Sequence, residues 1–123
     1  MSETPVMGLV LDCLDPEALA AFWESALDYV YIGSVDNYVL LVPGTRPGPK
    51  LLLQKVPEHK AGKNRMHLDI EVSDISAFAE RLEEIGAKRV SPGIVTEHSS
   101  RWIVMSDPEG NEFCVCDSGT DDI

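Results

Sequence analysis

The chain has 123 residues, of which 44% are hydrophobic and 25% charged, an ordinary globular balance that argues against a disordered chain. Ten basic residues against twenty-one acidic ones give a net charge of −11, so a nucleic-acid partner is not expected, because phosphate backbones are bound by clustered Lys and Arg. No apolar stretch is long enough for a membrane span and the start has no signal-peptide pattern, so we expect a cytoplasmic protein.

The first half of the chain predicts a strand, then a helix, then three more strands. Residues 6–14 are apolar and β-branched, which is typical of a strand. Asp15-Pro16-Glu17 is a helix start signal, and the apolar spacing that follows predicts a helix over 16–27. Residues 29–35 and 38–42 predict a hairpin around Asp36-Asn37, and a strand at 51–56 follows a loop rich in Pro and Gly.

The second half repeats this order after a polar segment at 57–64. Apolar and polar residues alternate along 66–72, which predicts a strand with His67, Asp69 and Glu71 on one face. Asp74 is placed to cap a helix with Ile75 at its start, and a short strand is expected near 89–91. Strands at 101–106 and 112–116 flank a tight turn at 107–111, in which Gly110 is expected to take a positive φ.

An internal repeat organises the chain. A shift of 59 residues places Gly8 on His67 and Asp15 on Asp74, so each half has the order βαβββ. The predicted fold class is α+β, with module one at 6–56, a linker at 57–64, module two at 65–117 and an acidic tail at 118–123. One small sheet alone exposes a face and two edges, so we expect the halves to cover each other or a second chain to pair with them as a homodimer.

Several stretches carry a resemblance to a known family. They include Leu11-Asp12-Cys13, Leu19-Ala20-Ala21-Phe22-Trp23, Met66-His67-Leu68-Asp69 and Asp107-Pro108-Glu109-Gly110-Asn111-Glu112-Phe113. In these the chain resembles the vicinal oxygen chelate superfamily, which includes glyoxalase I, extradiol dioxygenases and bleomycin-resistance proteins, and within it a glyoxalase-like domain subgroup. The resemblance covers about 6–117. It implies two βαβββ modules that form curved mixed sheets around a cleft, and a homodimer.

The resemblance also implies four metal-ligand positions, on the first and last strands of each module. In module two these positions fall on His67 and Glu112. In module one the first falls on Gly8, which has no side chain, and the last falls most plausibly on Gln54. A metal, if present, would therefore be held by His67, Glu112 and Gln54, a poor set for a divalent ion. We expect no cofactor and a protein that is purified essentially free of metal.

The polar face of the fifth predicted strand is expected to line the cleft. His67, Glu112 and Asp69 are the candidate catalytic residues, since neighbouring buried carboxylates tend to have raised pKa values and act as general bases. The alternative is that Asp69 forms a structural salt bridge with Arg65 or Lys63.

Polar and aromatic side chains elsewhere are candidates for ligand binding. Asp12 and Gln54 are expected to face the cleft, and Arg101, Trp102 and Tyr38 to clamp a flat or anionic molecule. The alternative is that Trp102 belongs to the core and Arg101 is solvated. Cys13, Cys114 and Cys116 are an odd number and are interpreted as reduced thiols that fill the core, although a C-x-C pair is also able to bind metal.

Three functions are compatible with this sequence. The first is metal-independent binding of a small molecule, of the resistance or sequestration type. The second is a metal-dependent lyase, isomerase or dioxygenase that uses His67 and Glu112. The third is an accessory domain without catalysis. The absence of a side chain at Gly8 favours the first.

Overall fold

The computed structural model describes residues 4–117, which form two compact units divided after His59. Each unit contains one helix and one mixed sheet. The predicted α+β class with a duplicated βαβββ arrangement is confirmed. The acidic tail predicted at 118–123 lies outside the described residues. Within residues 4–117 no helix has the length and apolar character that crossing a membrane requires.

The first unit contains a four-stranded sheet with one helix packed on it. Its elements are β1 (Leu9–Cys13), α1 (Pro16–Leu27), β2 (Val30–Val35), β3 (Tyr38–Val42) and β4 (Leu51–Lys55). The strand order is β1-β4-β3-β2, with β1 parallel to β4 and the other pairs antiparallel. The parallel pair requires a long connection, and α1 with the β2–β3 hairpin supplies it.

The second unit repeats this plan with one additional strand. Its elements are β5 (Asp69–Glu71), α2 (Ile75–Glu84), β6 (Lys88–Arg89), β7 (Val95–Glu97), β8 (Ser100–Ser106) and β9 (Glu112–Cys116). The order is β5-β9-β8-β6, with β5 parallel to β9 and β7 paired with β8. The two parallel pairs, β1–β4 and β5–β9, occupy equivalent places in the two sheets.

The N-caps of the two helices show why the repeat can be recognised in the sequence. The Asp15 side chain accepts a hydrogen bond from the backbone N–H of Ala18 at 3.2 Å, and the Asp74 side chain accepts one from Ala77 at 3.0 Å. Each aspartate therefore satisfies one of the free N–H groups of the first helical turn. The two caps are 59 residues apart, as the repeat predicts.

Each helix buries its apolar stripe against its own sheet. In α1 the buried residues include Phe22 and Trp23, whose rings meet edge to face with centroids 5.0 Å apart. In α2 they are Ile75, Ala79 and Leu82. The sheets contribute alternate residues to these cores, as their period of two requires.

The second unit differs from the sequence pattern in two details. The strand predicted at 66–72 is regular only from Asp69 to Glu71, and Met66 is exposed and not part of an apolar face. The segment Val95–Glu97, to which the sequence pattern assigned no element, is the strand β7. All three of its residues are exposed, so it lacks the alternation that marks a half-buried strand. His98 has a positive φ in the turn that joins β7 to β8.

The turn between β8 and β9 has the predicted left-handed glycine. Gly110 has φ +88°, and its N–H donates to the carbonyl of Asp107 at 2.9 Å. We expect Gly110→Val to lower the free energy of unfolding by about 1–3 kcal/mol, because a β-branched residue is strained at this φ.

Gly93→Val is the matched control for the Gly110 variant. Gly93 has no left-handed φ, and a Cβ there would meet no atom within 4 Å. Its effect should stay within about 0.5 kcal/mol. Equal midpoints for the two variants in urea denaturation would contradict the strain assigned to Gly110.

Candidate functional site

A pocket of about 420 Å³ lies on the sheet of the second unit. Strands β5, β8 and β9 and the residues just before β5 supply its walls. The lining combines charged, aromatic and sulfur-bearing side chains: Lys63, His67, Asp69, Ser100, Trp102, Val104, Glu112, Phe113, Cys114, Cys116 and Asp117. This volume suits a small organic molecule.

Strand alternation decides which residues reach the pocket. Along β9, Glu112, Cys114 and Cys116 share one face, and Val115 between them is fully buried with α2 packed against the strand. In β8, Trp102 belongs to the pocket-facing set and the next residue, Ile103, is buried in the core. The sheet therefore has a core face and a pocket face.

The Glu112 carboxylate is already engaged by residues that precede β5. Lys60 Nζ donates to Glu112 Oε1 at 2.9 Å, and the same ammonium donates to the carbonyl of Gly62. The backbone N–H of Asn64 lies 3.3 Å from both carboxylate oxygens, and Asn64 Oδ1 accepts the Glu112 N–H at 3.1 Å. Glu112 thus fastens the segment 60–64 to the start of β9.

These contacts determine the ionisation of Glu112. Burial raises its pKa, but the hydrogen bond and charge of Lys60, together with the Asn64 backbone, outweigh burial and hold the pKa below its usual range. The expectation that a buried carboxylate at this position has a raised pKa is therefore wrong for Glu112. An ionised, paired carboxylate is a weak general base.

We expect Lys60→Met to raise the Glu112 pKa, because the ammonium that stabilises the carboxylate is removed. With its lowered pKa, Glu112 stabilises the fold above the unfolded-state pKa, and this contribution is lost as pH falls through the folded-state pKa. In the variant this contribution should be smaller, because the folded-state pKa moves towards or above the unfolded-state pKa. NMR titration of the carboxyl carbon measures the midpoint, with Lys88→Met on the exposed strand β6 as control. An unchanged Glu112 midpoint in Lys60→Met would contradict the pairing.

His67 and Asp69 form the second polar pair of the pocket. His67 Nδ1 lies 3.2 Å from Asp69 Oδ1. Asp69 thus approaches His67, and among residues 4–117 it forms no salt bridge with Arg65 or Lys63, the alternative that the sequence allowed. The two residues approach because His67 precedes the regular part of β5, so the spacing of an extended strand does not separate them. The carboxylate orients the imidazole through Nδ1, which leaves Nε2 for a ligand.

The two thiols in the pocket are not activated nucleophiles. Burial, reinforced by the neighbouring Asp69 carboxylate, raises the pKa of Cys114 to about 11. Burial and nearby carboxylates also raise the pKa of Cys116. A reactive cysteine needs the opposite, a thiolate stabilised by positive charge. Among residues 4–117 no disulfide joins Cys13, Cys114 or Cys116, and the last two line the pocket in addition to being largely buried.

The predicted ligand-binding residues fall into separate groups. Trp102 lines the pocket. Arg101, which precedes it on β8, forms an ion pair with Asp117, with Nη2 and Oδ2 2.7 Å apart. Arg101 and Trp102 therefore do not clamp one ligand between them. The remaining three, Asp12, Gln54 and Tyr38, are adjacent across strands β1, β4 and β3 of the first unit, because Gln54 is the register partner of both others.

The register also identifies the residue of module one that corresponds to Glu112. Asp69 pairs with Cys114, and Val10, its equivalent in the repeat, pairs with Leu52. Two residues before Cys114 lies Glu112, at the start of β9, and two residues before Leu52 lies Lys50, just before the start of β4. The equivalent position is thus Lys50 and not Gln54, and the Lys50 chain lies against Gly8, with its Cε 3.1 Å from where a Cβ would be.

The superfamily positions therefore do not fit a metal. Gly8 has no donor, Lys50 offers a cation, and Glu112 is held by Lys60 and Asn64. His67 is the one residue of the four with an available ligand atom of a suitable type, and a catalytic site usually has three protein ligands. No step through a metal at these positions follows from this set.

The duplicated module and its pocket have the plan that the resemblance to the vicinal oxygen chelate superfamily implies. The sequence profile of the glyoxalase-like domain family matches residues 8–116, and the chain belongs to that family. No curated protein sequence matches it significantly.

Solved structures share this fold at low sequence identity. A glyoxalase/bleomycin resistance protein/dioxygenase from Nocardioides has a TM-score of 0.72 at 21% identity, over 95% of this chain and 85% of that one. The fosfomycin resistance protein FosX from Mesorhizobium loti has 0.73 at 15%, over 98% of both chains. A FosX variant from Listeria monocytogenes, complexed with Mn(II) and 1S,2S-dihydroxypropylphosphonic acid, has 0.77 at 13%, over 98% and 94%.

Sequence reasoning did not find the contribution of Lys60, Asn64 and Lys63. They lie in the segment interpreted as a linker, whose charges are typical of a solvated loop. The available signal was charge complementarity, since this segment is basic in a strongly acidic chain and Glu112 lies on the pocket face.

Proposed function

We propose that this protein binds a small organic molecule in the pocket of its second unit, without a metal at the superfamily positions. The observation that carries the proposal is the pairing of Glu112 with Lys60 beside a pocket of about 420 Å³. The carboxylate that would bind a metal is used to fasten the segment 60–64. The function is then of the resistance or sequestration type.

The lining indicates what such a ligand contains. Trp102 and Val104 offer apolar contact, and an indole face favours flat or aromatic groups. His67 Nε2 is able to exchange a hydrogen bond, and Lys63 provides a positive charge at the wall. We therefore propose a small aromatic molecule or thiol adduct that carries a polar or anionic group.

A thermal-shift screen in the presence of EDTA tests this function. A ligand that binds only the folded state raises the melting midpoint. At a ligand concentration of 100 times Kd it adds about 2.7 kcal/mol to the free energy of unfolding. We expect hits among small aromatics and thiol adducts, with the shift lost in Trp102→Ala and retained in Glu80→Gln, which is exposed on α2. No hit in EDTA, or hits obtained only when EDTA is omitted, would overturn the proposal.

The alternative is a metal-dependent lyase, isomerase or dioxygenase that uses His67 and Glu112. It is favoured by the match of both residues to superfamily ligand positions and by the Mn(II) in the Listeria structure. It requires Lys60 to release Glu112. Turnover that depends on added Mn(II), Fe(II), Ni(II) or Zn(II) and is lost in Glu112→Gln would establish it. An accessory domain would show neither turnover nor ligand-induced shifts.

We also propose that the protein is a homodimer. Strand β2 forms an edge of the first sheet and exposes apolar side chains, with Ile32 at 58% and Val35 at 72% exposure. An apolar edge strand of this kind favours pairing with another chain. Sedimentation at tens of micromolar should give twice the 13.5 kDa mass of the chain. A 13.5 kDa species would contradict the dimer, and Val35→Lys should shift the equilibrium towards it.

A further inference from the structure

Three side chains of types that ligate metals converge on the wall of the pocket. One of them, His67, is at a superfamily ligand position, and the other two, Asp69 and Cys114, each lie two residues further along a strand from such a position. The ligand atoms of His67, Asp69 and Cys114 all lie within 4.8 Å of one another. We propose that these three residues form a binding site for one thiophilic divalent cation of the Zn²⁺ class. Two of the three donors, Asp69 and Cys114, belong to no superfamily ligand position.

The sheet register holds these donors together. Asp69 on β5 and Cys114 on β9 are direct partners in the parallel pair, so their side chains leave the same face side by side. His67 reaches them from the irregular residues that precede β5, with Nδ1 3.2 Å from Asp69 Oδ1. Donors around a tetrahedral zinc are on the order of 3.5 Å apart, given bond lengths of about 2.0–2.3 Å. The pair is already at that spacing.

The donor types select the ion. A sulfur ligand disfavours Mg²⁺, Ca²⁺ and Mn²⁺, which prefer oxygen, whereas the set Cys, His and carboxylate suits Zn²⁺ and its spectroscopic substitute Co²⁺. On coordination the Cys114 thiol loses its proton to solvent, and the sulfur binds as thiolate. The three donors line the pocket, so an ion held by them would lie at its wall.

This site goes beyond the proposed function, which is expected to persist in EDTA. Its test uses the full chain, reduced and freed of metal by chelator, and titrated with Co(II). We expect one Co(II) per chain with a thiolate-to-cobalt charge-transfer band, which Zn(II) then abolishes by displacement. Asp69→Asn and His67→Gln should each weaken Co(II) binding at least about tenfold, since even loss of an outer-shell partner costs 10–100-fold. Both residues are exposed, so these variants should fold.

Three further variants assign the donors. Cys114→Ser should remove the charge-transfer band, whereas Cys116→Ser and Glu112→Gln should retain both the band and the affinity. A wild-type chain without the band would overturn the proposal, as would a band that survives in Cys114→Ser. Binding that Glu112→Gln abolishes and Asp69→Asn leaves intact would also overturn it, and would place the ion at the superfamily positions instead.

Discussion

Replacing Asp107 by alanine is expected to lower the free energy of unfolding by about 2–4 kcal/mol. Asp107 is 2% exposed and lies at the end of β8, where its carboxylate organises the turn into β9. Oδ1 accepts the backbone N–H groups of Glu109 and Asn111, at 2.9 and 3.0 Å, and Asn111 Nδ2 donates to both carboxylate oxygens. Alanine would leave these donors without an acceptor, and a buried unpaired donor is costly.

Asp107→Asn separates the loss of charge from the loss of the acceptor. Its amide oxygen can replace Oδ1, but its amide nitrogen would face Asn111 Nδ2, which lies 2.9 Å from Oδ2 in the native turn. We expect an intermediate loss of about 1–2 kcal/mol. Urea denaturation of the three proteins measures the order. If Asp107→Ala were as stable as the native chain, the turn would not depend on this carboxylate.

The regular parts of the fold were predictable because local chemistry determines them. The start of α1 follows from Asp15 and Pro16, which cap and begin a helix wherever an apolar stripe follows. The β2–β3 hairpin follows from the turn at Asp36, which has the positive φ that such a turn requires. These signals act within a few residues, so they are legible without knowledge of tertiary contacts.

The site was predictable only in part, because its chemistry depends on contacts between distant segments. The period of two along β9 puts Glu112, Cys114 and Cys116 on one face, and all three line the pocket. The ionisation of Glu112 depends on Lys60, which is 52 residues away and belongs to a segment without regular structure. No periodicity connects two such residues.

Strand register was the second quantity that the sequence did not determine. Gln54 was the plausible equivalent of Glu112 because its side chain resembles a ligand. The parallel pairing instead makes Lys50 equivalent, since a shift of a few residues along a strand replaces one side chain by another on the same face. The chemical type of the Gln54 side chain therefore led to the wrong assignment, whereas the parallel hydrogen-bonded pairing of β1 with β4 defines the equivalent position.

Truncation of the two tryptophans of the chain should destabilise the fold to different extents. Trp23 is 1% exposed in the core of the first unit, against Phe22, and Trp23→Ala should lower the free energy of unfolding by about 3–5 kcal/mol. Trp102 is half-buried in the wall of the pocket. Trp102→Ala should cost about 1–2 kcal/mol, because much less apolar surface leaves contact with the core.

Tryptophan fluorescence of two single-tryptophan variants distinguishes the core residue from the pocket residue. Since the chain has only these two tryptophans, Trp23→Phe leaves Trp102 as the one indole emitter. Its emission should change when a pocket ligand or Co(II) binds, whereas Trp102→Phe should retain the emission of Trp23 without that response. A ligand-dependent signal from Trp23 alone, or equal destabilisation by Trp23→Ala and Trp102→Ala, would contradict the division between a core residue and a pocket residue. The indole that stabilises the fold and the indole that contacts ligand are thus expected to be separable by measurement.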